Sequence, residues 1–301
     1  MSWEALVAAG LAIEKVELAP LTTYKLGGPA ELFVDVDDRS VLAAVGEALQ
    51  ADPRPVLVLG RGSNLLIADS GFPGVVIRLG AAFTDLVLDE ARVEAGGGLS
   101  LPRVARAACA AGRGGLEWGV GIPGSVGGAV RQNAGCFGHE VVDVLVAAEV
   151  FALDRGTLEW RSAGELDLSY RHSNLRPADV VVTARFTTVA ADPAECAETM
   201  REITRWRKDN QPGGTLNAGS VFKNPPGDEA SGAIVDRLGL KGFSIGPVRV
   251  SPRHANFIEA QRDATAADVK ELIETVRRKV GEETGVWLEP EIQFVGFDEG
   301  S

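Results

Sequence analysis

Val56-Leu57-Val58-Leu59-Gly60-Arg61-Gly62-Ser63-Asn64 is an apolar run that ends in a glycine-rich segment. The apolar part is typical of a buried strand. The segment from Gly60 to Asn64 offers consecutive backbone N–H groups with little side chain over them, which suits a pyrophosphate; a tight turn is the alternative. The next residues, Leu65-Leu66-Ile67, lead to another turn and not to the helix of a Rossmann glycine loop. The stretch therefore predicts a mixed α/β unit that would bind a dinucleotide by a non-Rossmann fold.

A second glycine-rich region runs from Gly112 to Gly138 and shows too little periodicity for regular structure. Long loops of this kind in compact domains are usually functional. Gly119-Val120-Gly121-Ile122-Pro123-Gly124 matches G-x-G-x-x-G, but no strand precedes it and Pro123 interrupts it, so its context excludes the Rossmann interpretation. The glycines from Gly121 to Gly128 would still let the backbone approach a flat or phosphorylated ligand closely.

Periodicity and capping residues predict the remaining elements. Helices are expected over 2–18, 40–49, 101–111, 193–208, 230–238 and 266–284, the last opened by a capping box at Thr265 and Asp268 and ended by Gly285. Strands are expected over 31–36, 56–59, 75–79, 141–153, 180–189, 256–258 and 286–295. We divide the chain into an N-terminal helix (1–19), a ligand-binding domain (20–190) and a C-terminal α/β domain (191–301).

Composition excludes several classes of function. The chain has 301 residues, 45% of them hydrophobic, and a formal net charge of −12, which disfavours binding to nucleic acid or to an anionic membrane. No apolar run approaches the roughly 20 residues of a membrane helix, and no secretory signal is seen, so a cytoplasmic location is expected. The three histidines and three widely spaced cysteines lack the spacing of metal ligands or of a disulfide framework. The chain also lacks the G-x-S-x-G motif that would indicate a hydrolase triad.

Five segments, in order and spacing, are similar to a known family. They are Gly60 to Leu65, Gly121 to Gly138, Ser169 to Ser173, Ala218 to Pro225 and Leu288 to Glu291. Together they resemble the UDP-N-acetylenolpyruvoylglucosamine reductase family over about Thr22 to Phe297. The resemblance implies an α+β protein, with an FAD-binding region of the vanillyl-alcohol-oxidase/PCMH type in two α/β subdomains and a C-terminal α/β substrate-binding domain. It also implies tightly bound FAD, NADPH as reductant, and UDP-N-acetylglucosamine enolpyruvate as the substrate that becomes UDP-N-acetylmuramate for peptidoglycan and the cell wall.

The resemblance also assigns roles to individual residues. The FAD-binding set is Gly60, Arg61, Gly62, Ser63, Asn64, Gly121, Ile122, Ser125, Gly127, Gly128, Asn133 and Gly135. Tyr170, Lys223 and Asn224 are expected to hold substrate, and no metal is implied. Arg171 and Glu291 are expected to stabilise negative charge that develops on the enolpyruvyl carboxylate side, because an enol ether is otherwise a poor hydride acceptor. Ser220 is then the expected proton donor, with Lys223 as a candidate to polarise its hydroxyl.

Alternatives remain open from the sequence. Ser220 could merely tighten a Gly-Ser turn, and Arg171 could be a structural ion pair. The chain could be another flavin oxidoreductase of the same fold, or a catalytically silent nucleotide-sugar binding protein. Phe137 stands where many relatives have tyrosine, and the short length fits the family's second subtype, which lacks a substrate-covering insertion. A monomer is the default expectation.

Overall fold

The computed structural model describes residues 1–89 and 92–297. Its internal contacts divide the chain into two compact units. The first contains Met1–Lys15, Glu31–Arg61 and Gly74–Arg207, and the second contains Val16–Ala30, Gly62–Pro73 and Lys208–Ser301. The predicted limits 1–19, 20–190 and 191–301 stay a prediction, and residues 298–301 of the last segment lie outside the described residues.

Within the described residues there are seven α-helices and several short 3₁₀ turns. The helices are α1 (Trp3–Ala8), α2 (Arg39–Ala51), α3 (Leu101–Ala110), α4 (Val126–Arg131), α5 (Pro193–Asn210), α6 (Ser231–Arg237) and α7 (Ala266–Thr284). The 3₁₀ turns are Ala19–Leu21, Ala81–Phe83, Glu117–Gly121 and Val141–Asp143.

The strands of the described chain are mostly short. The first nine are β1 (Ile13–Glu17), β2 (Pro29–Val36), β3 (Val56–Leu59), β4 (Leu65–Ile67), β5 (Phe72–Leu79), β6 (Leu86–Leu88), β7 (Arg92–Gly96), β8 (Arg113–Gly114) and β9 (Gly135–Cys136). The others are β10 (His139–Glu140), β11 (Leu145–Ala152), β12 (Thr157–Ser162), β13 (Asp179–Thr187), β14 (Val189–Ala190), β15 (Ser244–Ile245), β16 (Val248–Val250), β17 (Ile258–Ala260) and β18 (Gln293–Val295).

The first unit is built on two sheets. One has the strand order β1-β2-β5-β3, with β3 parallel to β5, and the other is an antiparallel sheet of order β12-β11-β13-β7-β6. Helix α2 begins where the Asp38 side chain accepts the Ser40 N–H at 2.7 Å, which satisfies one of the free donors of its first turn. Its apolar face packs with the four-stranded sheet in one core, whereas α3 and α4 pack with the five-stranded sheet in another.

The second unit is organised around α7. The predicted capping box at Thr265 and Asp268 is present, and Gly285 ends the helix with a left-handed φ of 77°. The Asp69 carboxylate also accepts the N–H groups of Ala266 and Ala267 at 2.8 and 3.0 Å, so a negative charge lies at the positive end of the helix. One face of α7 is buried against the sheet β15-β16-β17 and against α6. Strand β18 runs parallel to β4.

Three predicted elements were wrong. The helix expected over 2–18 ends at Ala8, because Gly10 adopts a φ of 71° and the alternating residues Ile13–Glu17 form β1. The stretch 112–138, expected to lack regular structure, contains α4, whose Ser125 side chain accepts the Gly128 N–H. The strand expected over 286–295 is reduced to Gln293–Val295, since Pro290 interrupts the preceding backbone. The other helices and strands lie within a few residues of the predicted positions.

Candidate functional site

Gly60 and Ser125 connect the two predicted cofactor-binding runs within the first unit. A Cβ atom on Gly60 would lie 2.5 Å from Ser125 Oγ, and one on Gly128 would lie 3.2 Å from the same atom. Gly60, Arg61 and Gly128 are exposed, whereas Ser125 is buried. The glycine backbone at Gly60 and Gly128 is therefore open to a ligand. Arg61 follows Gly60 in the sequence and carries a positive charge that could offset that of a phosphate.

The first N–H groups of α4 already have acceptors. Val126 N–H donates to the Leu99 carbonyl and Gly127 N–H to the Gly97 carbonyl, both at 2.8 Å, and Gly128 N–H donates to Ser125 Oγ. Close packing against the Gly97 carbonyl and Val181 also accounts for glycine at position 127. The start of α4 is therefore a structural junction, and these donors are not available for phosphate.

Asn133, Glu140 and Arg171 form one hydrogen-bonded network in the first unit. The fully buried Asn133 amide donates to Glu140 Oε2 at 2.9 Å and to the Ser169 carbonyl at 3.0 Å, and its oxygen accepts the Val142 N–H at 2.9 Å. Glu140 Oε1 accepts from the Arg171 guanidinium at 3.2 Å. Asn133, predicted to lie near the cofactor, thus helps to hold the segment that carries Arg171.

The Arg171 guanidinium is further fixed by two neighbours. It donates to the Gly135 carbonyl at 3.2 Å and lies over the Tyr170 ring, with its central carbon 4.8 Å from the ring centroid. The Arg171 side chain is mostly buried, whereas Tyr170 is exposed. The structure therefore brings together four predicted site residues, Asn133, Gly135, Tyr170 and Arg171.

Backbone strain is concentrated in this part of the first unit. Asn133, Phe137 and Arg171 have φ values of 41°, 54° and 54°, a region that residues other than glycine rarely occupy. Phe137 packs edge-to-face on Trp206 with centroids 5.2 Å apart, and both rings are over 40% exposed. Strained residues held by surrounding contacts are common at ligand sites.

Cys136 and Arg207 lie next to the predicted cofactor-lining residue Gly121. A Cβ atom on Gly121 would lie 2.7 Å from Cys136 Sγ, and the Arg207 guanidinium donates to the Gly121 carbonyl. Burial raises the pKa of the Cys136 thiol to about 11, although Arg207 and Arg171 favour its thiolate. Cys136 is therefore a neutral thiol at pH 7; it is half-buried, whereas the other cysteines, Cys109 and Cys196, are buried.

Ser220 follows a glycine whose conformation the turn requires. Gly219 has a φ of 79° with no other group within 4 Å of a Cβ placed there, so the backbone angle and not crowding explains the glycine. Its N–H donates to the Asn217 side chain at 3.0 Å. Among the described residues, none donates a hydrogen bond to the half-buried Ser220 hydroxyl or accepts one from it. The hydroxyl is thus available to a ligand.

The backbone after Ser220 pairs with the segment that carries Glu291. The Val221 carbonyl accepts the Glu291 N–H at 2.7 Å, and the Lys223 N–H donates to the Glu289 carbonyl at 2.8 Å. The Asn64 side chain donates to the Glu291 carbonyl at 3.1 Å, and the Asn64 carbonyl accepts the Gln293 N–H at 3.0 Å. The second unit therefore brings together the predicted residues Ser220, Glu291 and Asn64.

Lys223 and Asn224 are held by neighbours within the same unit. The Lys223 ammonium group lies 2.5 Å from a carboxylate oxygen of the exposed Glu289, and Asn224 Oδ1 accepts the N–H and the hydroxyl of the buried Ser231 at 3.1 and 3.2 Å. In this structure the ammonium charge is thus directed at Glu289 and not at the Ser220 hydroxyl.

The remaining predicted residues are Gly62, Ser63 and Ile122, of which the half-buried Ile122 packs against the core that contains α3 and α4. Gly62 has a φ of 59°, a Cβ atom there would overlap the Leu21 carbonyl, and its own carbonyl accepts the Thr23 N–H at 3.0 Å. Gly62 is therefore required by local packing, and Ser63 beside it is half-buried. An exposed glycine backbone at Gly60 and Gly128, beside Arg61, is nonetheless compatible with FAD.

Comparisons with known proteins agree with this geometry. Residues 211–295 match the family model described as UDP-N-acetylenolpyruvoylglucosamine reductase, C-terminal domain, and residues 30–162 match the model of an FAD binding domain. The curated reductase of Heliobacterium modesticaldum is 43% identical over 93% of this chain and 89% of its own length, and that of Bacillus velezensis is 39% identical over 95% of each. The crystal structure of the reductase from Thermus caldophilus has a TM-score of 0.81 at 39% identity, covering 94% of this chain and 98% of that one.

The chain belongs to the UDP-N-acetylenolpyruvoylglucosamine reductase family. The predicted fold class is thereby confirmed, with an FAD binding domain and the C-terminal domain of this family. The chain is a flavin-dependent oxidoreductase with FAD as cofactor and NADPH as reductant, and its reaction serves peptidoglycan synthesis.

No helix within 1–89 and 92–297 has the length and apolar character needed to cross a membrane. In the same residues, no group of three or more His, Cys, Asp or Glu side chains is placed to hold a metal ion.

Sequence reasoning missed several residues that hold this reductase's predicted site together. Glu140 joins Asn133 to Arg171, Arg207 binds the Gly121 carbonyl, and Asn256 and Ser231 contact the backbone of Phe222. A signal existed for Asn256, a polar residue next to the apolar pair Phe257-Ile258, the second of which begins β17. Nothing local to Glu140 or Arg207 distinguishes them from exposed charged residues.

Proposed function

We propose that Ser220 donates the proton that completes reduction of UDP-N-acetylglucosamine enolpyruvate, with Arg171 and Glu291 stabilising the charge that develops first. When bound, FAD supplies the reducing chemistry, and Gly60 to Asn64, Gly121 to Gly128 and the Asn133–Gly135 segment are the proposed holders of the cofactor. The observation that carries the proposal is the Ser220 hydroxyl, which no described residue engages and which directly precedes Val221, whose carbonyl accepts the Glu291 N–H.

Ser220 suits a proton donor because of its surroundings. Gly219 and Asn217 fix the turn before it, and the Val221 carbonyl fixes the backbone after it through Glu291 N–H. A hydroxyl on a fixed backbone loses little conformational freedom when it transfers a proton, and general acids of this kind contribute about 10² to 10⁴ in rate. The interpretation as a merely structural serine is disfavoured, since the hydroxyl makes no bond within the turn.

Arg171 is proposed to bind the carboxylate side of the enolpyruvyl group. Its planar guanidinium can bond both oxygens of a carboxylate, and its contacts with Glu140 and the Gly135 carbonyl fix its direction. Glu291 is proposed to act on the same reacting group as a second polarising side chain, in its protonated form, because only the acid can donate a hydrogen bond to developing negative charge.

Tyr170, Lys223 and Asn224 are proposed to bind substrate. The exposed Tyr170 ring carries the Arg171 cation on one face, which places the ring beside the proposed carboxylate-binding group. Lys223 would exchange the exposed Glu289 for a substrate diphosphate, since an exposed ion pair contributes only about 0–1 kcal/mol. The expected cytoplasmic location and monomeric state stay predictions.

The test uses the purified protein and its visible spectrum. We expect a flavin spectrum that NADPH bleaches without oxygen, and that UDP-N-acetylglucosamine enolpyruvate restores stoichiometrically. Restoration only by oxygen would favour a different flavin oxidoreductase. Protein that is colourless and cannot be loaded with FAD would favour a silent nucleotide-sugar binding protein.

A further inference from the structure

Asn256 makes three hydrogen bonds to the two residues that follow Ser220. Its side-chain oxygen accepts the Phe222 N–H and its side-chain nitrogen donates to the Phe222 carbonyl, each at 2.9 Å. Its main-chain carbonyl accepts the Val221 N–H at 2.9 Å. Asn256 is 6% exposed, and Val221 and Phe222 are buried, so these bonds are shielded from water.

The Asn256 side chain replaces a missing neighbouring strand. One planar amide satisfies both the donor and the acceptor of a single residue, Phe222, as a paired strand would. Only an amide of this length has the donor and acceptor needed; an aspartate would place a second oxygen against the Phe222 carbonyl. Buried backbone groups left unpaired are strongly unfavourable, so the position of Phe222 depends on this residue.

Asn256 is itself held on its far side. Its N–H donates to Nδ1 of the half-buried His254 at 3.2 Å, and the His254 carbonyl accepts the Phe257 N–H at 3.0 Å. The buried Ser231 hydroxyl adds a bond to the Phe222 carbonyl at 3.3 Å. The residue is therefore a rigid part of the core of the second unit.

The Val221 peptide lies between Asn256 and Glu291. Its N–H points to the Asn256 carbonyl, and the Val221 carbonyl accepts the Glu291 N–H at 2.7 Å. A shift of Asn256 would thus move the residue after Ser220 relative to Glu291. The Asn256 side chain is turned to Phe222 and is enclosed, so it does not itself reach a ligand.

We propose that Asn256 is a positioning residue that fixes the Ser220 hydroxyl relative to Glu291 for proton transfer. This inference rests on the proposed function, in which Ser220 is the proton donor. It predicts that Asn256 affects the oxidative half-reaction through Ser220 alone. The reduction of the bound flavin by NADPH does not need Ser220 and would be unchanged.

The experiment compares Asn256→Asp and Asn256→Ala holoenzymes with the wild type by anaerobic rapid mixing. We expect reoxidation of reduced flavin by substrate to slow about tenfold or more, because a displacement of about 1 Å in a reacting group can cost up to 10² in rate. Bleaching by NADPH should keep the wild-type rate, which also verifies folding. Asn174→Asp, which alters one exposed bond to the Glu165 carbonyl, is the control. Should neither variant fold, Asn256→Ser takes their place.

The decisive comparison repeats each substitution in a Ser220→Ala background. If Asn256 acts through Ser220, the double variant reoxidises no more slowly than Ser220→Ala alone. Equal slowing in both backgrounds, or no slowing in either, would overturn the inference and leave the role of Ser220 intact. Unchanged reoxidation in Ser220→Ala itself would instead overturn the proposed function of that residue.

Discussion

Replacing Glu140 with glutamine tests whether Arg171 is held in a working position by the network around Asn133. Both carboxylate oxygens of Glu140 are in use, Oε2 with the Asn133 amide at 2.9 Å and Oε1 with the Arg171 guanidinium at 3.2 Å. Glutamine has one carbonyl oxygen, and its NH₂ group would have to face a donor. One of the two bonds is therefore lost whichever way the amide turns.

The expected slowing of reoxidation follows from the kind of hydrogen bond that the substitution removes. A hydrogen bond to a charged partner contributes about 1.5–3 kcal/mol. Since about 1.4 kcal/mol corresponds to a tenfold change in rate, Glu140→Gln should slow substrate-dependent reoxidation by roughly 10- to 100-fold if Arg171 acts in the transition state. The flavin content of the variant is measured first, because Glu140 bonds Asn133 and pairs with Gly135, two of the residues proposed to hold FAD.

The assay is reoxidation of the NADPH-reduced flavin under anaerobic conditions. Glu165→Gln is the matched control, because the two bonds from Ser162 go to a single oxygen, Oε2, which glutamine can reproduce. An Asp substitution at 140 should fall between the wild type and the glutamine variant. Wild-type reoxidation in Glu140→Gln would refute the claim that this contact positions Arg171.

Three further outcomes are expected. Gly219→Ala should lower the free energy of unfolding by about 1 kcal/mol and slow flavin reoxidation, because alanine disfavours the φ of 79°. Gly213→Ala is the control, because Gly213 has an ordinary φ and open space around it, and thermal melts and rapid mixing should show no change. Burial opposes ionisation of Asp179, but hydrogen bonds from Arg176 and Arg161 outweigh it and keep the pKa of Asp179 below its usual value. Wild type should therefore be more stable than Asp179→Asn at pH 7, and this difference should disappear as the pH falls below about 4. Thermal melts of both proteins across this pH range would measure the difference. Cys136, with its pKa raised to about 11, should be alkylated by iodoacetamide at pH 7 more slowly in the native protein than in urea, as mass spectrometry would show.

The longer elements could be predicted from the sequence because local signals agreed with the final packing. In α7, the capping box, one apolar face and a terminal glycine all give the same limits. In contrast, α4 has only six residues, two of which are Gly127 and Gly128, and it begins after Ser125, so periodicity could not reveal it. Its stability comes from bonds to the Leu99 and Gly97 carbonyls, which are distant in sequence.

The candidate site shows the same contrast between residues that local motifs indicate and residues that depend on distant contacts. Motifs placed Ser220, Arg171 and Glu291, since these segments resemble a family in order and spacing. The residues that hold them, Glu140 and Asn256, act through contacts 31 and 34 residues away, which no local pattern encodes. The pairing of Lys223 with Glu289 was equally hidden, because it depends on how the segment 221–223 lies against 289–291.

The main proposal for this site is that Ser220 supplies the proton that completes reduction of the substrate. Its most direct test is anaerobic rapid mixing of NADPH-reduced Ser220→Ala holoenzyme with UDP-N-acetylglucosamine enolpyruvate, with Ser244→Ala, an exposed serine of the same unit, as control. If Ser220 supplies this proton, the flavin of Ser220→Ala is reduced by NADPH at the wild-type rate and is then reoxidised by substrate about 10² to 10⁴ times more slowly. Reoxidation at the wild-type rate would contradict it.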